Sequence, residues 1–181
     1  MAIVEDYKKL IDDITKEFFD FEIIKKDESR KMKVIDVILK VITFGKMNKF
    51  MTGFITTLGN KVYVPSSWNE YHLISKVEIL RHERIHMRQS KKYGRLLFSF
   101  LYLMAPLPCG LAYFRKKFEM EAYEESIKTL HEYLGENAFS PERKVFYISQ
   151  FTSANYFWMW PFRGSLEKWY DAAVEKAKSN E

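Results

Sequence analysis

Apolar residues recur with helical spacing along the first part of the chain. Within residues 4–24 they occupy positions i, i+3, i+4, i+7 and i+11: Tyr7, Leu10, Ile11, Ile14 and Phe18. This spacing places the apolar side chains on one face of an amphipathic helix. A second helix is predicted over residues 28–42, ending before Gly45.

The pattern changes to that of strands within residues 50–64. Two short runs of β-branched and aromatic residues are separated by Gly59 and Asn60. A Gly-Asn pair between two such runs favours a β-hairpin. A loop is expected to follow over residues 65–69.

Helical patterns fill most of the remaining chain. Helices are predicted over residues 71–90, in the apolar stretch that begins at Leu96, and over 115–134, 141–153 and 164–179, with an aromatic stretch at 156–162. No internal repeat or linker marks a boundary. The expected fold is α+β: one helix-rich domain over residues 1–181, with a small antiparallel hairpin or sheet before the helix at 71–90.

Residues 96–114 contain no charged side chain, and this length of 19 residues approaches the roughly 20 that a transmembrane helix needs. Pro106, Pro108 and Gly110 interrupt the segment, and basic residues flank it on both sides. We therefore expect no membrane span. The prediction is a buried helix of about three turns, followed by a tight reversal.

Composition limits the chemistry that is open to the chain. Its 181 residues are 47% apolar and 29% charged, which describes a globular protein. Cys109 is the only cysteine, so an internal disulfide and a cysteine cluster for metal are both excluded. Any metal must be bound by His, Asp or Glu.

The charge balance and the N-terminus indicate partners and location. The net charge of +5 permits an acidic partner without requiring one. No nucleic-acid motif accompanies the basic runs, so solvated helix ends are favoured over nucleic-acid binding. The N-terminal residues do not form a secretory signal, and a soluble cytoplasmic protein is expected. The oligomeric state is left open.

One motif carries recognisable chemistry. His82, Glu83 and His86 form a His-Glu-x-x-His pattern on the predicted helix at 71–90. Residues four apart share a helix face, so both imidazoles can reach one ion while Glu83 stands beside them. Arg81 and Arg88 lie on a different, basic face. The alternative interpretation is a pair of surface histidines on a charged helix.

A catalytic zinc takes three protein ligands and keeps one position for water. Gln89 and Lys92 stand where the metzincin pattern has Gly and a third His, so that pattern is excluded. Downstream, Glu119 belongs to an apolar stripe, whereas Glu121 belongs to a charged one. A buried carboxylate is unfavourable unless it is paired or metal-bound, which favours Glu119 as the third ligand. The alternative is a buried Glu119 paired with an arginine.

The combination of His82-Glu83-x-x-His86 with a later Glu119-x-Glu121-Ala122 resembles the gluzincin zinc metallopeptidases. The Glu-x-Glu-Ala element is similar to that of the HtpX-like and prenyl-protein-processing membrane peptidases. The resemblance implies a zincin-like fold and a Zn²⁺ ion held by His82, His86 and Glu119.

The position four residues after the ligand glutamate differs from that family. An Asp that supports a zinc histidine normally stands there, and this chain has Tyr123. The Tyr123 hydroxyl, Glu124 and Glu125 are candidates for that support. Four groups are chemically able to stabilise an oxyanion: Tyr123, Tyr147, Tyr156 and Arg163.

The function expected from these residues is zinc-dependent hydrolysis of peptide bonds in a peptide or protein substrate. Glu83 would act as the general base towards a metal-bound water. An extended substrate is expected to add to the strand at 61–64. The alternative is a catalytically silent zincin-like metal-binding protein that acts as a binding or assembly module. A third hypothesis is a membrane-associated peptidase that uses residues 96–114.

Overall fold

The computed structural model describes residues 2–103, 112–153 and 159–179. The chain divides into two compact units, Met1–Lys76 and Val77–Glu181. The helix-rich α+β class is confirmed. The single domain and the zincin-like fold stay predictions.

The first unit contains helices around a small sheet. Its elements are α1 (Ala2–Glu17), β1 (Glu22–Lys25), α2 (Arg30–Ile42), the one-turn α3 (Phe50–Gly53), β2 (Thr56–Leu58) and β3 (Lys61–Val64), with 3-10 turns at Lys26–Glu28 and Ser66–Glu70. The hairpin of β2 and β3 is confirmed: Leu58 pairs with Lys61, and Gly59 adopts a positive φ of 64° in the turn.

The sheet differs from the antiparallel one that was predicted. Its order is β1-β3-β2, with β1 parallel to β3 and β2 antiparallel to it. The helix expected to reach residue 24 ends at Glu17, and Asp20 follows with a positive φ of 60°. Parallel pairing with a strand far along the chain leaves no local signal, which is why β1 was missed.

The central place of β3 overturns one functional expectation. Both edges of β3 are already hydrogen-bonded, one to β1 and the other to β2. A substrate strand cannot add to residues 61–64, because β-augmentation requires an open edge. The prediction that this strand binds substrate is therefore wrong.

The core of the first unit lies under α2. Met32 is fully buried and packs with Phe50 and Tyr63, and Ile35 and Leu39 cover the same cluster. Ser29 caps the helix by accepting a hydrogen bond from the backbone N–H of Met32.

Helix α4 (Leu73–Tyr93) carries the motif. The following elements are α5 (Arg95–Leu103), α6 (Tyr113–Leu134), a 3-10 turn (Gly135–Phe139), α7 (Pro141–Thr152) and α8 (Arg163–Lys178). The helices predicted over 71–90, 115–134, 141–153 and 164–179 are thus confirmed to within three residues at each end. A second core joins α7 and α8, where Ile148, Phe151 and Leu166 are buried together.

Helix α5 corrects the prediction for the apolar segment. It has nine residues, and it is largely exposed: Leu96 is 89% exposed, and Leu97 and Phe100 also face solvent. Because its apolar residues surround the helix, packing against α6 covers only one side. The predicted reversal at Pro106, Pro108 and Gly110 lies outside the described residues, as do residues 156–158 of the aromatic stretch. No helix in the described ranges combines the length and hydropathy of a membrane span.

Candidate metal centre

Helices α4 and α6 bring the three predicted ligands together. The Nε2 atoms of His82 and His86 lie 3.2 Å apart, and each lies 3.7 Å from Glu119 Oε2. The four-residue spacing on α4 aligns the two imidazoles, and α6 supplies the carboxylate opposite them. The convergence of these residues is therefore confirmed.

The three atoms fit a metal ion. Atoms with these separations share a centre about 2.1 Å from each of them, within the range of about 2.0–2.2 Å for zinc bonded to imidazole nitrogen or carboxylate oxygen. Among the described residues, the His, Cys, Asp and Glu side chains that lie close enough together to hold an ion are those of His82, His86 and Glu119. The geometry shows a metal-binding arrangement without identifying the metal.

The centre is buried. Glu119 is 4% exposed, His86 6% and Glu83 7%. The other carboxylate oxygen of Glu119 accepts a hydrogen bond from the Tyr102 hydroxyl on α5. Glu119 thus faces two imidazoles and a phenol, and the charge of Arg115 also acts on its carboxylate, as the arginine alternative expected in part.

Gln89 determines the tautomer of His86. Its side-chain NH₂ donates to the Phe118 carbonyl (3.1 Å) and to Glu121 Oε2 (2.9 Å), so its own carbonyl oxygen must face His86 Nδ1 at 2.9 Å. Nδ1 therefore carries the proton and donates it. In the neutral imidazole, the Nε2 lone pair of His86 then points at the centre, as metal ligation requires.

Ser126 is the corresponding neighbour of His82. Its Oγ lies 3.3 Å from His82 Nδ1, and its hydroxyl also hydrogen-bonds the Glu78 carboxylate. The His82 side chain also hydrogen-bonds the backbone of Ala122, so two groups of α6 orient its ring. The partly buried Glu78 thus supports His82 through one intervening hydroxyl group.

Without a metal, the three ligand side chains shift one another's pKa values in different directions. Burial lowers the pKa of His82 to about 3, and the charge of His86 acts in the same direction. Burial also opposes the charge of His86, but the Glu119 carboxylate outweighs it and raises that pKa to about 9. For Glu119, burial raises the pKa, yet charged His86 prevails and lowers it to about 2.

Glu83 follows His82 on α4 and is buried with the ligands. It interacts electrostatically with His86 and with Tyr102. A second buried carboxylate thus lies close enough to His86 and Tyr102 to act on them electrostatically.

The other candidate residues of α6 have different roles. Glu121 faces away from the centre and binds Gln89, so it supports a ligand without being one. Tyr123 packs its ring on His82, with centroids 4.6 Å apart. Glu124 pairs with Lys176, and Glu125 lies 3.9 Å from Arg81. Gln89 and Ser126 contact the two histidines in addition to the packing of Tyr123 on His82.

The oxyanion candidates are not gathered at one point. Tyr147 is buried against Tyr123, while Arg163 pairs with Glu167 at the surface. Tyr156 lies outside the described residues. The structure therefore does not assign this role to any of the four.

Sequence reasoning missed four supporting residues. Three had a usable helical signal: Gln89 lies three residues after His86, Ser126 seven after Glu119, and Glu78 four before His82. Tyr102 had none, since it is on a separate helix.

Compared with protein-family models, curated proteins and solved structures, the chain matches none of them. The gluzincin resemblance thus stays a hypothesis that rests on the sequence motif.

Proposed function

We propose that the chain is a zinc-dependent metallopeptidase of gluzincin type. The observation that carries this proposal is the meeting of His82, His86 and Glu119 around one point, with Glu83 buried beside them. Two imidazole nitrogens and one carboxylate are the ligand set of catalytic zinc in several hydrolases, and a fourth position is left for water.

The supporting contacts suit this chemistry. A zinc ion bound here would lower the pKa of a coordinated water towards about 7. Glu83 accepts a proton on its carboxylate and later donates it to the leaving amine of the cleaved peptide. Gln89 keeps Nδ1 of His86 protonated, and Ser126 and the Ala122 backbone orient the His82 ring, so that both Nε2 atoms can serve as ligands. Tyr102 holds Glu119 from the side opposite the histidines.

Burial favours the second candidate function, a silent metal-binding module. Structural zinc sites keep no open position for water, and the ligands here are almost fully buried. The three-ligand set points the other way, because structural sites usually have four protein ligands. Glu83 also favours the enzyme, since a structural site needs no base.

The deciding experiment combines metal analysis with one substitution. Purified protein is expected to hold one zinc per chain and to cleave casein or a peptide library. Glu83→Gln keeps the side-chain size and removes the base, so zinc should remain while hydrolysis falls by about 10²- to 10⁴-fold. Glu167→Gln, the same change at an exposed position on α8, serves as the control and should leave hydrolysis unchanged.

The other outcomes are equally informative. Unchanged turnover in Glu83→Gln would remove this residue from the mechanism. Stoichiometric zinc without hydrolysis of any library peptide by the unmodified chain would favour the silent module.

A further inference from the structure

Helix α2 has a second apolar face that is exposed. Its inner face packs against Phe50 and Tyr63, as described above. The outer face presents five aliphatic side chains that are 49–70% exposed: Val34, Val37, Ile38, Val41 and Ile42. Their spacing of i, i+3, i+4, i+7 and i+8 makes them one continuous stripe along the helix.

A phenylalanine extends this stripe at the end of the helix. The N–H of Gly45 bonds the Lys40 carbonyl and that of Phe44 bonds the Val41 carbonyl, the two hydrogen bonds of a Schellman motif. Glycine normally occupies the left-handed position of this motif, yet Phe44 holds it with a φ of 51°. Its side chain is 93% exposed, so packing within the protein does not account for it.

The exposed charges along α2 and the segment after it are of one sign, whereas the exposed Asp27 and Glu28 lie in the 3-10 turn before the helix. Residues 30–49 contain six basic residues and one acidic residue, a net charge of +5 that equals that of the whole chain. The acidic residue, Asp36, is buried on the inner side and paired with Lys40 at 2.7 Å. Every exposed side chain over residues 30–46 is consequently either apolar or basic.

We propose that the outer face of α2, with Phe44, binds the surface of a lipid bilayer that carries anionic headgroups. An amphipathic helix lying in the bilayer interface inserts aliphatic and aromatic side chains between the acyl chains, while flanking lysines contact lipid phosphates. The described face has both features. This inference is independent of the metal centre and goes beyond the proposed hydrolysis.

The same observations disfavour other occupants. Nucleic acid offers phosphates to the lysines, but its backbone has no partner for five adjacent aliphatic side chains. A second copy of the chain would bring two basic surfaces together, which is repulsive. An anionic bilayer satisfies the apolar stripe and the positive charge together.

The test is cosedimentation of the full chain with phosphatidylcholine vesicles, prepared with and without phosphatidylserine. Binding is expected to the vesicles that contain phosphatidylserine and to weaken with added salt. Val37→Gln combined with Val41→Gln should reduce the partition coefficient about tenfold. The control is Val145→Gln on α7, where the valine is 55% exposed compared with 60% for Val37; this variant should bind like the unmodified chain.

A second variant tests the charge component separately. Lys33→Gln with Lys46→Gln leaves the apolar stripe unchanged and should weaken binding to anionic vesicles by about fivefold for each residue. The proposal is overturned if the unmodified chain stays in the supernatant, or if both α2 variants bind as tightly as it does. It is equally overturned if Val145→Gln loses as much binding as the α2 pair.

Discussion

The two compact units depart from an ordinary protein in opposite ways. The unit Val77–Glu181 buries charged and polar side chains at the candidate metal centre, among them Glu83, His86 and Glu119. The unit Met1–Lys76 exposes aliphatic side chains along α2. Soluble domains usually bury aliphatic side chains and expose charged and polar ones.

The buried polar cluster is balanced by its own contacts, whereas the exposed stripe is not. Gln89, Ser126 and Tyr102 bond the three ligands, which offsets part of the desolvation of a buried carboxylate and two imidazoles. The stripe on α2 leaves apolar area in water, and Phe44 adds a left-handed backbone. The contrast is what the two proposals would produce, an ion bound by one unit and a membrane surface bound by the other.

The largest expected effect comes from the third ligand. Glu119→Ala should weaken zinc binding by more than the 10- to 100-fold that is typical of losing a residue outside the ligand set. Glu121→Ala removes only an acceptor for Gln89 and should stay within that range. Equilibrium zinc titration against a competing chelator measures both. Equal losses for the two variants would show that Glu119 is not a ligand.

The next effect concerns the support of His86. Gln89→Leu removes the acceptor of the Nδ1 proton and should lower zinc affinity about 10- to 100-fold. Gln150→Leu is the matched control: this glutamine is similarly buried, but it bonds Phe146 and Ser149 within its own helix. A comparable loss of zinc in the Gln150 variant would indicate general destabilisation and contradict the positioning role.

A pH-dependent effect is expected from Glu78. Burial raises its pKa to about 7 in the folded protein, so the folded state favours the protonated form. Below the pKa of Glu78 in the unfolded chain, near 4.5, the side chain is protonated in both states and its burial costs no stability. As the pH rises through about 7, the buried side chain must ionise and the folded state loses stability. Glu78→Gln should therefore raise the free energy of unfolding by about 2 kcal/mol at pH 8 and leave it nearly unchanged at pH 4.

Chemical denaturation of the metal-free protein at these two pH values measures this difference. A variant that is equally stabilised at both values, or at neither, would contradict the burial of a protonated Glu78.

The smallest effect sharpens the comparison on the α2 side. Phe44→Asn should raise the free energy of unfolding by about 1 kcal/mol, because asparagine tolerates the left-handed backbone and the exposed ring loses no contact. Phe146→Asn on α7 is the control, since this exposed phenylalanine lies within a right-handed helix. Urea denaturation of both variants measures the change in the free energy of unfolding. A destabilised Phe44→Asn would mean that the ring makes a stabilising contact.

Much of the second unit could be predicted from local patterns. The long helices α4 and α6 follow from apolar periodicity, and the ligand pair from a four-residue spacing on one helix. Glu119 could be distinguished from Glu121 because residues two apart on a helix point to different sides. The sequence therefore determined the ligands, since each choice depended on side-chain direction within a single helix.

Only the tertiary structure decided which groups complete the centre and which surfaces remain exposed. Tyr102 reaches Glu119 from another helix, and β1 pairs with a strand 39 residues away at Glu22 and Lys61. The sequence pattern of the outer stripe of α2 is the same as that of a buried helix face. Periodicity shows where apolar residues lie along the helix but not whether another element covers them. Contacts between distant segments depend on how whole elements pack, and residue spacing within one element does not contain that information.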